Sequence, residues 1–256
     1  STHITQNSSV PWPTRPRALV GKPDPYSTSM AERIISTVDG TLIDAWASFK
    51  SFKRKDDKEP PKPGDGTGMV DFKGEKRSNA THQSSTDPEA KLMRKGNGQP
   101  ARLSYGGHAL MENRSGLCVD LLITDATLAE HQAARQLLTR ARRRKIHPKT
   151  LGADKGYHVK DFVQHLREHK IKPHIARIDG RKTPGLDGRT SCTEGYKISQ
   201  RKRKRVEEIF GWLKTVGGMR KTRFIGQTRT QIAAYLSAAA YNLLRIAKLQ
   251  SAGSAA

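Results

Sequence analysis

Apolar residues in this chain come in short runs between long polar stretches. Within the runs, the spacing switches between the two-residue period of a strand and the 3.6-residue period of a helix. Residues 34–38, IISTV, are β-prone and stop at Asp39; residues 42–50, with Trp46, continue as a short helix or strand. LSYGGHALMEN and GLCVDLLITDA lie either side of Asn113-Arg114-Ser115-Gly116, the pattern of two strands joined by a glycine-containing turn. Residues 127–145 predict a helix opened by a Thr127–Glu130 capping box, with Leu128, Ala134, Leu137 and Leu138 on its buried side. A strand at 149–153 ends at Asp154, a helix follows at 159–169, and PHIARI at 173–178 reads as a further strand. A loop containing glycine, proline and threonine covers 179–197. Residues 199–216 predict a helix with Ser199 as cap and Gly217-Gly218 as stop. Residues 229–249 predict an amphipathic helix with Ile232, Leu236, Ala239, Leu243 and Ile246 as its stripe. This order of elements is that of an α/β protein with a mixed sheet flanked by helices.

The remaining stretches carry no such period. Residues 1–33 are proline-rich and polar and read as an irregular lead-in, not a packed element. Residues 53–100 are charged and rich in proline and glycine, and are expected to form a flexible insertion within one domain spanning 34–249; residues 250–256 are a tail. The GDGTG stretch at 64–68 has no strand before it and no capped helix after it, so it is not a phosphate cradle. No apolar stretch reaches membrane-spanning length, and the first thirty residues hold no secretory signal. Cys118 and Cys192 have no metal-type spacing, which fits a reducing cytoplasm.

Charge changes the picture. Lys and Arg number 47 against 24 acidic residues, a formal excess of +23 that is best explained by a polyanionic partner. One basic cluster is Arg140, Arg142, Arg143, Arg144 and Lys145, which equally reads as a helix end favoured by the macrodipole. The other gathers Arg201, Lys202, Lys204, Arg205, Arg220, Lys221 and Arg223, side chains suited to phosphates rather than base edges. Trp212 sits among them and reads as a core contact in preference to a base-stacking platform.

The chemistry lies in RKRKRVEEIFGWLKTVGGMRKTRF. Steps of four and seven bring Arg203, Glu207 and Lys214 onto one narrow helical arc, beside an arc of Val206, Ile209, Phe210 and Leu213 that faces the core. Glu208 points about 100° away. With Asp39 and Asp154 at strand ends, Glu207 makes three carboxylates, enough hard oxygen ligands for divalent ions. Taken singly, each also reads as a solvated turn aspartate or an ion-paired helix glutamate. Asp71, Asp87, Asp120 and Asp125 are rivals, Asp120 the strongest because its strand should neighbour the first. His165 and His169 are spaced for Zn²⁺, yet with no third ligand evident they read as a solvated helix face. His108 reads as a structural hydrogen-bonder.

VDGTLIDAWASFKSF, GGHALMENRSGLCVDLLIT, ADKGY and RKRVEEIFGWLKTVGGMRKTR together resemble the DDE transposases of bacterial insertion sequences, from about Ile34 to Leu249. The resemblance implies a ribonuclease-H-like catalytic domain. It implies Asp39, Asp154 and Glu207 as catalytic and metal-binding acids holding a pair of Mg²⁺ ions, with Mn²⁺ as a substitute. Arg203 and Lys214 match the bases that flank the final acid in the closest group and would bind DNA phosphate, with Lys204, Arg205, Arg220, Lys221 and Arg223 around them. Double-stranded DNA, as element ends and as target, would be the partner of a homo-oligomer in the bacterial cytoplasm, associated with the nucleoid. Two departures stand out. Gln200 occupies the position seven before Glu207 where the family often has Tyr, and the helical region usually found before the first acid is missing from the short stretch ahead of Ile34. The alternatives are a catalytically inactive DNA-binding remnant and a metal-dependent nuclease that cuts without joining.

Overall fold

The computed structural model describes residues 35–56 and 77–253. The lead-in, Asp71, GDGTG and the last three residues lie outside them. The strands are β1 (Ile35–Asp44), β2 (Phe52–Arg54), β3 (His82–Ser84), β4 (Lys91–Met93), β5 (Arg102–Glu112), β6 (Cys118–Asp125), β7 (Thr150–Ala153) and β8 (Lys172–Ile175). The helices are α1 (Glu130–Arg143), α2 (Lys160–Glu168), α3 (Gly188–Ser191), α4 (Glu194–Lys202), α5 (Arg205–Thr215) and α6 (Gln227–Gly253). β1 lies at the centre of a six-stranded mixed sheet, antiparallel to β5 on one side and parallel to β7 on the other, with β8 parallel beyond β7. β4 and β6 share the outer edge of β5, and β2 and β3 form a separate antiparallel pair. The β5–β6 turn falls at 113–116 as expected, with Gly116 at φ +73°.

Strand alternation sends side chains to two helical layers. Val38, Leu110, Leu122, Leu151 and Ala153 meet Ala134, Leu137, Leu138 and Ala141 of α1 and Phe162, Val163 and Leu166 of α2. On the opposite face Tyr105, Ala109, Met111, Leu121 and Ile123 meet Val206, Ile209, Phe210 and Leu213 of α5 and Ala234, Ala238 and Tyr241 of α6. The mixed sheet flanked by helices is therefore the architecture that the pattern predicts.

Several elements differ from expectation. β1 does not stop at Asp39 but runs on to Asp44, because β5 pairs with it along its length. The polar segment past residue 77 carries β3 and β4. There Asn79 binds both backbone groups of Leu92, at 3.0 and 2.8 Å, and buried Asp87 accepts from the Tyr105 hydroxyl. Polar side chains order this segment, so hydrophobic periodicity misses it. β8 ends at Ile175, and the Ile178 amide donates instead to His158 Nδ1 at 2.9 Å. The helix expected at 199–216 is two helices. Thr193, not Ser199, caps the first, and a tightened turn at Arg203–Lys204 separates them, with bonds from Val206 and Glu207 amides to the carbonyls three residues back. No glycine or proline marks that corner. Gly217-Gly218 does end α5, Gly218 at φ +66°.

α6 is turned over relative to its pattern. Ile232 and Leu236 are 54% and 69% exposed, whereas Thr230, Ala234, Ala238 and Tyr241 are buried. The reason is β6, whose outer edge has unpaired backbone groups that need partners. Gln231 accepts from Ile123 N and donates to Leu121 O, at 2.7 and 2.8 Å, and Asn242 does the same for Cys118, at 2.8 and 2.9 Å. Gln227 adds a bond to the Ile123 carbonyl at 3.0 Å. Among the described residues no helix is long and apolar enough to cross a membrane.

Candidate active site

The β1–β7 register pairs Thr37 with Gly152, so Asp39 and Asp154 lie two residues further along neighbouring parallel strands. Gly152 is the reason a helix can come close here: a Cβ would stand 3.0 Å from Thr37 Oγ1 and 3.1 Å from Ser199 Oγ of α4. The α4–α5 corner is thereby held over the strand end, with Glu207 in the first turn of α5. Asp39 Oδ1 accepts from the Gly40 amide at 2.8 Å, and Asp154 caps a short 3₁₀ turn by accepting from the Gly156 amide at 2.8 Å. Burial raises the Asp39 pKa, and Asp154 and Glu207 raise it further, while the Gly40 amide and Arg203 oppose them. Three acids remote in sequence thus share one electrostatic neighbourhood. Their oxygens do not close into a triplet within 4.8 Å; among the described residues only His165 and Glu168 of α2 with His169 just after it do so, beside Arg135 and Arg142.

A fourth acid is present. The expected Thr127–Glu130 box does not form, because the amide and hydroxyl of Thr127 both bond to Asp125 Oδ1 and α1 begins at Glu130 with Ala129 at the N-cap position, which makes no side-chain cap. Much of Glu130 faces solvent, yet its carboxyl lies between two glycines. A Cβ on Gly40 would be 2.9 Å from Glu130 Oε1, and a Cβ on Gly156 would be 3.4 Å from Glu130 Oε2 and 3.1 Å from Asp154 Oδ1. Burial, then Asp154 and Asp39, push the Glu130 pKa up to about 7. The signal available in sequence was an acid at the first helical residue after a strand two places from β1. Among the described residues no cation pairs at ion-pair distance with Asp39, Glu130, Asp154 or Glu207. Hard carboxylate oxygens with a surplus of negative charge, beside two positions where a side chain would intrude, fit a divalent cation.

The bases divide by what they touch. Arg203, half-buried with its Nε unpartnered, lies where it stabilises ionised Asp39. Lys214 donates to Thr41 Oγ1 at 2.6 Å, two residues past Asp39; burial, then Lys95 and Arg220, lower its pKa against the pull of Asp44. Arg220 lines a cavity of 370 Å³ with Lys95, Arg102 and Lys214. Lys204 and Arg223 are exposed, and Lys221 lies 5.4 Å over the Trp46 ring. Arg205 is engaged otherwise, donating to the carbonyls of Asn113 and Arg114 at 2.8 Å each, which clamps the β5–β6 turn.

The rivals have structural partners. Asp120 is buried against Arg140 and Arg144, at 2.9 and 2.7 Å. Asp87 holds Tyr105, and Asp125 organises the turn before α1. Glu208 is exposed, in the field of Tyr241 of α6. Trp212 packs edge-on against Tyr241, centroids 5.9 Å apart. Gln200 donates its amide to the His174 carbonyl at the end of β8.

A family model described as a transposase DDE domain matches residues 71–243. The chain belongs to this family. Its mixed sheet between helical layers is the ribonuclease-H-like fold of DDE transposases, and members use divalent metal ions and act on DNA. The matched span includes Glu130, Asp154, Glu207 and Lys214 and begins downstream of Asp39, which lies on the central strand in the electrostatic field of Asp154 and Glu207. No curated protein matches the chain.

Proposed function

We propose that this transposase domain cleaves DNA at the ends of a transposable element and joins the freed ends to target DNA, with Asp39, Asp154 and Glu207 as the acids that hold Mg²⁺. The observation that carries this reading is that Asp39, Asp154 and Glu207 share one electrostatic neighbourhood in which Arg203 acts on Asp39 and, among the described residues, no cation stands at ion-pair distance from the three acids. Divalent ions bound there supply charge stabilisation at the scissile phosphate and a nucleophile at neutral pH. The protein's own part is orientation. The Gly40 and Gly156 amides fix two of the carboxylates, and the α4–α5 corner brings the third. Arg203 and Lys214 hold non-reacting phosphate oxygens, Lys214 steadied by Thr41. Water attacks the phosphodiester in line, forming one P–O bond as the bond to the 3′-oxygen breaks. The released 3′-hydroxyl then attacks a target phosphodiester and displaces its 3′-oxygen. Lys204, Arg220, Lys221 and Arg223 bind backbone phosphates on either side, on a homo-oligomer assembled on DNA in the bacterial cytoplasm.

The test is an end-cleavage and joining assay on DNA carrying the inverted repeats that flank the gene, with Mg²⁺, Mn²⁺ or neither. The expected result is metal-dependent cleavage followed by joined product. Gel shifts without cleavage in either ion would favour a binding remnant, and cleavage without joining a simple nuclease.

A further inference from the structure

We propose that Glu130 is a fourth metal-holding carboxylate of this centre, reaching Asp154 from the opposite face of the sheet; the inference rests on the reading of Asp39 and Asp154 as metal ligands. Val38 packs with the α1–α2 layer, and alternation places the missing side chain of Gly40 on that same side, with Asp39 directed to the other. The bare backbone at Gly40 leaves an opening where Glu130 Oε1 approaches from α1. Gly156 does the same at the other acid, where Asp154 Oδ1 and Glu130 Oε2 flank one empty Cβ position at 3.1 and 3.4 Å. A side chain at 156 would stand against both carboxylates, and one at 40 would displace Glu130 and His108.

Two buried polar groups point independently to something bound in this gap. The Tyr157 hydroxyl is fully buried without a hydrogen-bond partner, and it lies in the field of Glu130, Asp39 and Asp154. His108, 3% exposed, has Nε2 3.0 Å from Thr124 Oγ1, which itself donates to the Asp125 carbonyl. The imidazole proton therefore sits on Nε2, and Nδ1 is an unpartnered acceptor facing the same Gly40 position as Glu130 Oε1, at 3.0 and 2.9 Å. A carboxylate and a bare imidazole nitrogen both call for a donor or a cation, and the cavity of 460 Å³ that Gly40, His108 and Glu130 line has room for a hydrated divalent ion. The competing explanation is that Glu130 only favours the start of α1 through the helix dipole. That role does not require glycine at two remote positions.

The test is Mn²⁺ binding by the full-length chain, read from the paramagnetic resonance signal of free ion, for wild type, Glu130→Gln, Glu130→Asp, Asp39→Asn and Asp154→Asn. Glu130→Gln is expected to weaken binding by about 10- to 100-fold, and Glu130→Asp by less. Without metal, Glu130→Gln is expected to melt at a higher temperature than wild type, because one repelling charge has gone; a dipole-only role requires the reverse. Wild-type Mn²⁺ affinity in Glu130→Gln, with binding lost in both aspartate variants, overturns the inference for Glu130 alone. Wild-type affinity in the aspartate variants overturns it together with the reading of the site.

Discussion

Asp120 on β6 and Asp39 on β1 are both acids whose pKa burial raises, yet the protein treats them in opposite ways. Asp120 receives two guanidinium groups from α1, Arg140 at 2.9 Å and Arg144 at 2.7 Å. Asp39 receives one backbone amide and the more distant influence of Arg203, and it is surrounded by further acids. A carboxylate that serves the fold is neutralised by the helix packed on it. The one in the middle of the central strand is left short of positive charge, and that deficit is what a divalent cation would close.

The sharpest way to break this comparison is to neutralise each acid in turn. Asp39→Asn, Asp154→Asn or Glu207→Gln is expected to lower Mg²⁺-dependent cleavage by at least about 10³-fold, the scale of losing one preorganised charge-stabilising group. DNA binding by gel shift should survive in each. Asp120→Asn should leave the rate per folded molecule unchanged, and an equal loss of cleavage there would end the distinction. The converse perturbation removes the cations. Arg140→Met with Arg144→Met strands a buried carboxylate and is expected to destabilise by about 2–3 kcal/mol in urea denaturation, less than for a fully buried pair because both arginines are partly exposed.

A smaller effect is expected with pH in the absence of metal. Glu130 is held near 7 in the fold against an ordinary value of 4.5, so between those values the folded protein keeps a proton that the unfolded chain has released. Stability from this group therefore falls as pH rises from about 4.5 to about 7. His108 and His174, pushed down to about 4, have the opposite sign: they stay neutral in the fold and lose stability as pH falls below 6.5. The informative quantity is thus the difference between wild type and Glu130→Gln. Their melting curves should diverge between pH 5 and 8, and parallel curves would contradict the assignment of that proton. The smallest effect concerns the bases. Lys204→Ala should reduce the slope of log affinity for DNA against log salt by roughly 1. Arg205→Ala should leave that slope unchanged while costing about 1 kcal/mol through the two freed carbonyls of the hairpin turn.

What the sequence disclosed follows the range of the forces involved. The hairpin at 113–116 and the strand leading to Asp154 depend on local turn chemistry and short apolar runs, and both were legible. The corner at Arg203–Lys204 was not, since it lies within RKRKR and is imposed by packing Ser199 against Gly152. The hydrophobic pattern of α6 points the opposite face inward, because the buried side is made of Thr, Ala, Tyr and strand-binding amides, which such a pattern counts as solvent-facing. In sequence Glu130 has the spacing of a capping partner, because Thr127 stands three residues before it. The residue that claims Thr127 is Asp125, and only the folded chain reveals that Gly40 and Gly156 make room for the acid.

By finishing β6 with the amides of Gln227, Gln231 and Asn242 in place of another strand, α6 decides how this border can meet a neighbour. Strand annealing along β6 has no free ladder to join. What the border offers outward is the aliphatic row from Ile232 to Leu249, side chains in place of a backbone ladder, so a contact made through it is free of a fixed hydrogen-bond register.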